Sequence, residues 1–163
     1  MTLLVSNIGP LIALSAIDAL DLLPRLYGRV VIPEEVRKEL SAAPHGIMRF
    51  PFSETTEWLE VQKLSAPVDP LLATVLDTGE AAVIQLAIHL PAEAVLIDER
   101  KGRKVARSVY QLKVIGTVRV LVDAKQKGLL SSVGSALGEM RRNGYWIHDD
   151  IVQRALQEAG EQS

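Results

Sequence analysis

The sequence predicts an α/β fold in three layers, with a mainly parallel central sheet between two layers of helices. Two observations carry this. Short apolar runs rich in β-branched residues alternate along the chain with segments whose apolar residues fall at helical spacing. Hydrophobic residues make up 48% of the chain but aromatics only 4%, so the core must be built from Leu, Val, Ile and Ala, the usual material of helix-on-sheet packing. With 163 residues the chain has the size of one domain, and a segment of two C-terminal helices, residues 131–160, is expected to pack on the rest.

The elements follow in order. Leu3-Leu4-Val5-Ser6 is a buried strand, and Pro10 sits where a helix begins, its missing N–H falling among the orphan donors of a first turn. Leu11, Ile12, Leu14 and Ile17 continue at helical spacing, and a short helix over Leu20 to Leu26 stops before Gly28. Arg29-Val30-Val31-Ile32 is the next strand. Pro33, Glu34 and Glu35 then open a helix with the acids at its positive end, and Val36 and Leu40 lie one turn apart on one face. Residues 41–56 are expected to be an exposed loop or a short helix, and Trp58 to Leu64 an edge strand. A long helix runs from Thr78 to about His89, with Ala82, Ile84, Leu86 and Ile88 mostly inside. The strand Glu93–Ile97 ends in Asp98, a basic helix covers Arg100 to Tyr110, and Lys113–Gly116 is a last short strand. Thr117 is placed to cap a helix through Lys127, and helices near Val133–Arg142 and Asp149–Ala159 follow.

Composition removes several classes of function. Cysteine is absent, which excludes both a disulfide framework and a thiolate metal site and fits a reducing cytosol. The formal net charge of −2 argues against a globally basic nucleic-acid binder but leaves room for a local basic patch beside an acidic cleft. No signal peptide is visible after Met1, and the apolar runs are broken by Asn7, Pro10 and Asp18 or by Asp77, Gly79 and Glu80. A cytoplasmic protein with no membrane partner is the expectation. His45, His89 and His148 are too scattered for a zinc motif, and no Gly-rich phosphate loop is present.

In parallel α/β sheets the functional site lies at the carboxyl ends of the strands. Asn7 follows the first strand, and Asp98 and Glu99 follow the Val95–Ile97 strand. Glu80 lies near the start of the long helix, and Glu39 in the helix after the second strand. Oxygen ligands converging on one sheet edge suit a hard cation such as Mg²⁺ or Mn²⁺, which activates water and offsets charge developing on a phosphodiester. Each residue also has an ordinary role open to it. Glu80 can simply favour a helix N-terminus, Glu39 can be a surface residue of an amphipathic helix, Asp98 can cap the following helix and Asn7 can satisfy a turn. Their joint placement, not any single member, points to a site.

Four blocks resemble a known family. Val5-Ser6-Asn7-Ile8-Gly9-Pro10-Leu11-Ile12-Ala13-Leu14 resembles the opening of PIN-domain proteins, and Val31-Ile32-Pro33-Glu34-Glu35-Val36-Arg37-Lys38-Glu39-Leu40 is similar to their second block. Thr78-Gly79-Glu80-Ala81-Ala82-Val83-Ile84 resembles the third, and Leu96 through Ala106 the fourth. More narrowly, the chain looks like a prokaryotic PIN-like branch of unknown function. The resemblance implies a divalent-metal endoribonuclease, the toxin half of a toxin–antitoxin pair, with RNA as substrate, a small antitoxin protein as partner, and a homodimer. Carried over residue by residue, it implies that Asn7, Glu39, Glu80 and Asp98 are the catalytic set. Asn7, Glu80 and Asp98 would hold Mg²⁺ or Mn²⁺, and Glu99 is an auxiliary candidate. Two departures matter. Asn7 stands where the family has an Asp, and Gly9 where a small hydroxyl residue is common; an amide oxygen still ligates a hard cation but brings no formal charge.

Arg100, Arg103, Lys104 and Arg107 share a helix face directly after Asp98, placed to hold RNA phosphates beside the acidic cleft; an ordinary solvated face is the alternative. Trp58, Tyr145 and Trp146 are expected to pack or to form an interface rather than to stack on bases, since no basic residues interleave with Trp58. Three functions compete: a metal-dependent ribonuclease, a non-catalytic or dormant PIN-like module that binds RNA or an antitoxin, and an unrelated flavodoxin-like domain, which the missing nucleotide loop disfavours.

Overall fold

The first strand is the middle of the sheet. A computed structural model describes residues 2–42 and 57–161. β1 is Thr2–Ser6, β2 Gly28–Pro33, β3 Leu59–Gln62, β4 Ala94–Leu96 and β5 Val114–Ile115. They form one five-stranded sheet in the order β3-β2-β1-β4-β5, with every pairing parallel. Val5, Val30, Val31, Ile32, Val95 and Leu96 have no exposed surface, as expected for strands covered on both faces. The α/β/α expectation is met, and the sheet is wholly parallel.

Helices cover both faces. α1 is Ile8–Ala16, α2 Leu22–Tyr27, α3 Glu34–Ala42, α4 Pro70–Val75, α5 Thr78–His89, α6 Arg100–Ser108, α7 Thr117–Gln126, α8 Val133–Arg142 and α9 Asp149–Glu158. α3, α4 and α6 pack on α5, whereas α1 and α2 pack with α7, which also carries α8 and α9. α5 is the most enclosed: every residue from Gly79 to Ala87 is buried, with the sheet on one side and other helices around it. Glu161 ties the C-terminal helices together, its carboxylate accepting from the first backbone N–H groups of α8 at Val133 and Gly134.

Several expectations are corrected. α1 begins at Ile8, so Pro10 lies inside its first turn, where no intrahelical N–H bond is lost. α4 was not legible: it has six residues and buries only Leu72, so it shows no apolar period. Asp69 nevertheless caps it through Leu71 N at 2.8 Å, with Pro70 at its first position. Ile88 is exposed on the outer side of α5. Gly116, not Thr117, is the N-cap of α7. Of the expected loop, residues 43–56 lie outside the described residues. No described helix is long and apolar enough to cross a membrane.

The central strands carry the fold, so truncating one of their side chains should be costly. Leu96→Ala is expected to lower unfolding free energy by about 2–5 kcal/mol, read from the midpoint of a urea titration.

Candidate metal centre

Parallel pairing brings the first two candidates together. Ser6 is paired with Leu96, and Asn7 N donates to Leu96 O at 3.0 Å, so Asn7 and Asp98 leave adjacent strands at the same edge. Asn7 occupies the N-cap position of α1 but makes no capping bond. Its side chain is 7% exposed, and its Oδ1 is buried without a hydrogen-bond partner. Such an oxygen forgoes solvation with nothing in exchange, a cost native structures rarely leave uncompensated.

Asp98 points towards the next strand. Its Oδ1 accepts from Thr117 N at 2.7 Å and its Oδ2 from Thr117 Oγ1 at 2.5 Å. The Tyr145 hydroxyl donates to it as well, and burial together with the Asp98 charge pushes the Tyr145 phenol far up. Gly116 makes room for this: a Cβ there would stand 3.0 Å from Asp98 Oδ1 and 2.7 Å from Arg103 Nη1. Asp98 thus serves the start of α7 rather than capping α6, which is capped by Glu99 through Gly102 N at 2.8 Å.

Glu80, Glu39 and Glu99 meet around the start of α5. Asp77 caps that helix, its Oδ1 accepting from Glu80 N at 2.8 Å. The Asp77 N–H in turn bonds back to the Glu80 carboxylate, a reciprocal cap that fulfils the ordinary role foreseen for Glu80. Yet Glu80 is only 7% exposed, and a Cβ on Gly102 would come 3.8 Å from its Cδ and 3.7 Å from Glu99 Oε2. Burial, then the charges of Asp77 and Glu99, push the Glu80 carboxyl up to about 7. Glu39 reaches the same place from α3: a Cβ on Gly79 would lie 2.0 Å from its Oε1. Burial and the Asp77 charge raise its pKa too.

The edge therefore holds two linked groups. Asp77, Glu80, Glu39 and Glu99 crowd the N-terminus of α5, and Asp98 is held by Thr117 and Tyr145 one strand away. Among the described residues no three Asp, Glu, His or Cys side chains are grouped closely enough to hold a metal ion by themselves. Sequence reasoning missed Asp77, Thr117 and Tyr145 as members of this site. The cap pattern Asp-x-x-Glu at 77–80 was a readable signal for the first; contacts made across the fold by the other two leave none.

The four basic candidates do not share one environment. Arg100, Lys104 and Arg107 are exposed, whereas Arg103 is half-buried with Nη1 donating to Ile97 O at 2.8 Å. Burial, then the neighbouring Arg107, lower the Arg103 pKa. Arg103 braces α6 against β4.

The raised Glu80 pKa makes a testable statement about pH. Its ordinary value is 4.5 and its folded value about 7, so the folded chain binds the extra proton between them and stability falls as pH rises through that window. Glu80→Gln, which carries no charge to bury, should melt above wild type by a few degrees at pH 8 in EDTA, with the gap narrowing towards pH 5. A constant difference across that range in thermal scans would contradict it.

The model of the DUF3368 family, described as a PIN domain, matches residues 3–161. No curated protein and no solved structure matches significantly. The match spans nearly the whole described chain and contains all four sequence blocks and the acidic edge, so the chain belongs to this family of PIN domains, a nuclease-type fold of prokaryotes.

Proposed function

We propose that the protein is a divalent-metal-dependent endoribonuclease whose centre is the edge formed by Asn7, Glu80 and Asp98, with Glu39 alongside. The observation that carries this reading is Asn7 Oδ1, a buried oxygen with no partner at the same sheet edge as Asp98. The donor set fits Mg²⁺ or Mn²⁺: all its ligating atoms are hard oxygens, and the crowding that raises Glu80 and Glu39 is relieved by a cation. When bound, such an ion supplies water activation and charge stabilisation at a phosphodiester.

The chain's own residues do the rest. Thr117 and Tyr145 fix Asp98 in one orientation, since both Asp98 oxygens are engaged. Gly79 lets Glu39 stand over the start of α5, where its carboxylate is placed to orient a water. In the metal-free chain burial and neighbouring charges push the Glu80 carboxyl up to about 7, so loading the centre with a cation would release the proton it holds. Arg100, Lys104 and Arg107 hold backbone phosphates of the RNA. As a toxin the enzyme is neutralised by a small antitoxin and pairs with a second copy of itself; the resemblance of the four blocks supports both.

One observation favours a second reading, a dormant module that binds RNA or an antitoxin without cutting. Asn7 brings no formal charge, and among the described residues no three Asp, Glu, His or Cys side chains are grouped so as to hold a metal ion by themselves. Cleavage of a panel of structured RNAs in Mn²⁺ separates the two. Wild type should cut, and Glu80→Gln and Asp98→Asn should each lose on the order of a hundredfold in rate. Equal cleavage by all three proteins would mean a contaminating nuclease and sink the proposal. Activity gained only in Asn7→Asp would assign the natural chain to the dormant module.

A further inference from the structure

The segment between α8 and α9 carries an aromatic side chain expected from the sequence to pack or to form an interface. Trp146 is 78% exposed, although its neighbours Tyr145 and Ile147 turn inward. Its indole and the His148 ring form a T-shaped pair, centroids 5.7 Å apart and planes at 84°. His148 is itself fixed, because its Nδ1 accepts from Asp150 N at 3.1 Å at the start of α9.

Trp146 lines a groove of about 850 Å³ that runs past the basic face of α6 and includes Asp98 in its wall. Arg100, Lys104 and Arg107 line it too, and none of the three is paired with an acidic side chain among the described residues. Arg119 also borders the groove but is engaged by Glu158 and Asp123. Among the described residues that line the groove Asp98 alone is acidic, so the lining there carries net positive charge. Cations that track a backbone, beside an aromatic side chain that offers a face, form the pattern by which single strands are held without sequence preference. A duplex presents no unstacked base to an indole, and a purely apolar protein partner would leave the three cations unmatched.

We propose that Trp146 is a base-stacking platform for a single-stranded stretch of RNA whose phosphates lie along Arg100, Lys104 and Arg107 on its way to the Asp98 edge. The inference rests on reading that edge as a nuclease site and adds a residue that positions the strand on its way there.

Binding of a fluorescein-labelled oligouridylate of about 12 nucleotides, followed by anisotropy in EDTA so that nothing is cut, tests it. Trp146→Ala should weaken binding about tenfold with its melting temperature unchanged, and Trp146→Phe should stay within about threefold of wild type. Arg107→Ala should reduce the salt dependence by about 0.7 in log–log slope, and an RNA duplex of the same length should bind more weakly than the single strand. Equal affinity of Trp146→Ala and wild type overturns the proposal, as does absence of binding by wild type. A change of oligomeric state in Trp146→Ala with RNA affinity unaltered also overturns it, and assigns the indole to a second copy of the chain. If Trp146-dependent binding is seen without any cleavage in Mn²⁺, the ribonuclease reading falls and this inference stands. If wild type cuts and Trp146→Ala binds and cuts equally well, only this inference falls.

Discussion

Parallel pairing of β1 with β4, Ser6 opposite Leu96, is the constraint from which the rest of the molecule follows. A parallel strand buried on both faces can carry no polar side chain along its length without cost, so polarity is displaced to its end. Ser6, the last residue of β1, is already fully buried and turns its hydroxyl to Asn7 O at 2.9 Å. One residue later the chain must leave the sheet, and at the neighbouring strand it leaves through Ile97 into Asp98. The register thus decides that an amide and a carboxylate emerge side by side. The N-termini of α1, α5 and α6 are drawn to the same region, and helix N-termini favour negative charge. Acidic crowding there is partly an outcome of the topology, which is why caps such as Asp77 and Glu99 stand among the candidate ligands.

Much of this could be read beforehand because strands buried on both faces write themselves as continuous apolar runs. Val30–Ile32 and Ala94–Leu96 are of that kind, and Val36 with Leu40 shows a helix face equally well. α4 could not be read, because six residues with one buried side chain leave no period to detect. Within the candidate site, the placement of Asn7 and Asp98 at the ends of neighbouring strands was legible but side-chain direction was not. Asp98 and Glu99 are adjacent in sequence, yet one turns to Thr117 and the other to Gly102, and only the path of α6 and α7 decides which. For Trp146 the sequence left packing and an interface both open; its exposure follows from neighbours on both sides, Tyr145 and Ile147, taking the inward positions.

Glycine decides how closely the acidic groups approach. At 79 and 116 the missing side chain leaves the space that Glu39 Oε1, Asp98 Oδ1 and Arg103 Nη1 occupy, so three polar groups reach backbone that any larger residue would screen. Gly102 does the same for helix packing, letting α6 settle with Ile97 Cγ2 3.2 Å from where a Cβ would be. The three glycines come from different blocks of the sequence and serve one edge of the sheet.

The short segment from Asp98 to Arg107 then joins the acidic edge to the basic face. α6 buries only Gly102 and Ala106, one turn apart, so apolar packing alone holds it weakly. Polar contacts compensate: Glu99 caps its first turn, Arg103 reaches back to Ile97 O, and Leu112 N bonds to Ala106 O beyond its end. A helix with so narrow a buried stripe leaves most of its circumference to solvent, and Arg100, Lys104 and Arg107 occupy that surface. Arg103 turns inward to brace the helix through Ile97 O, whereas its three neighbours face solvent. The acidic edge and the basic face are therefore positioned by the same nine-residue helix, at a spacing fixed by its caps rather than by its core.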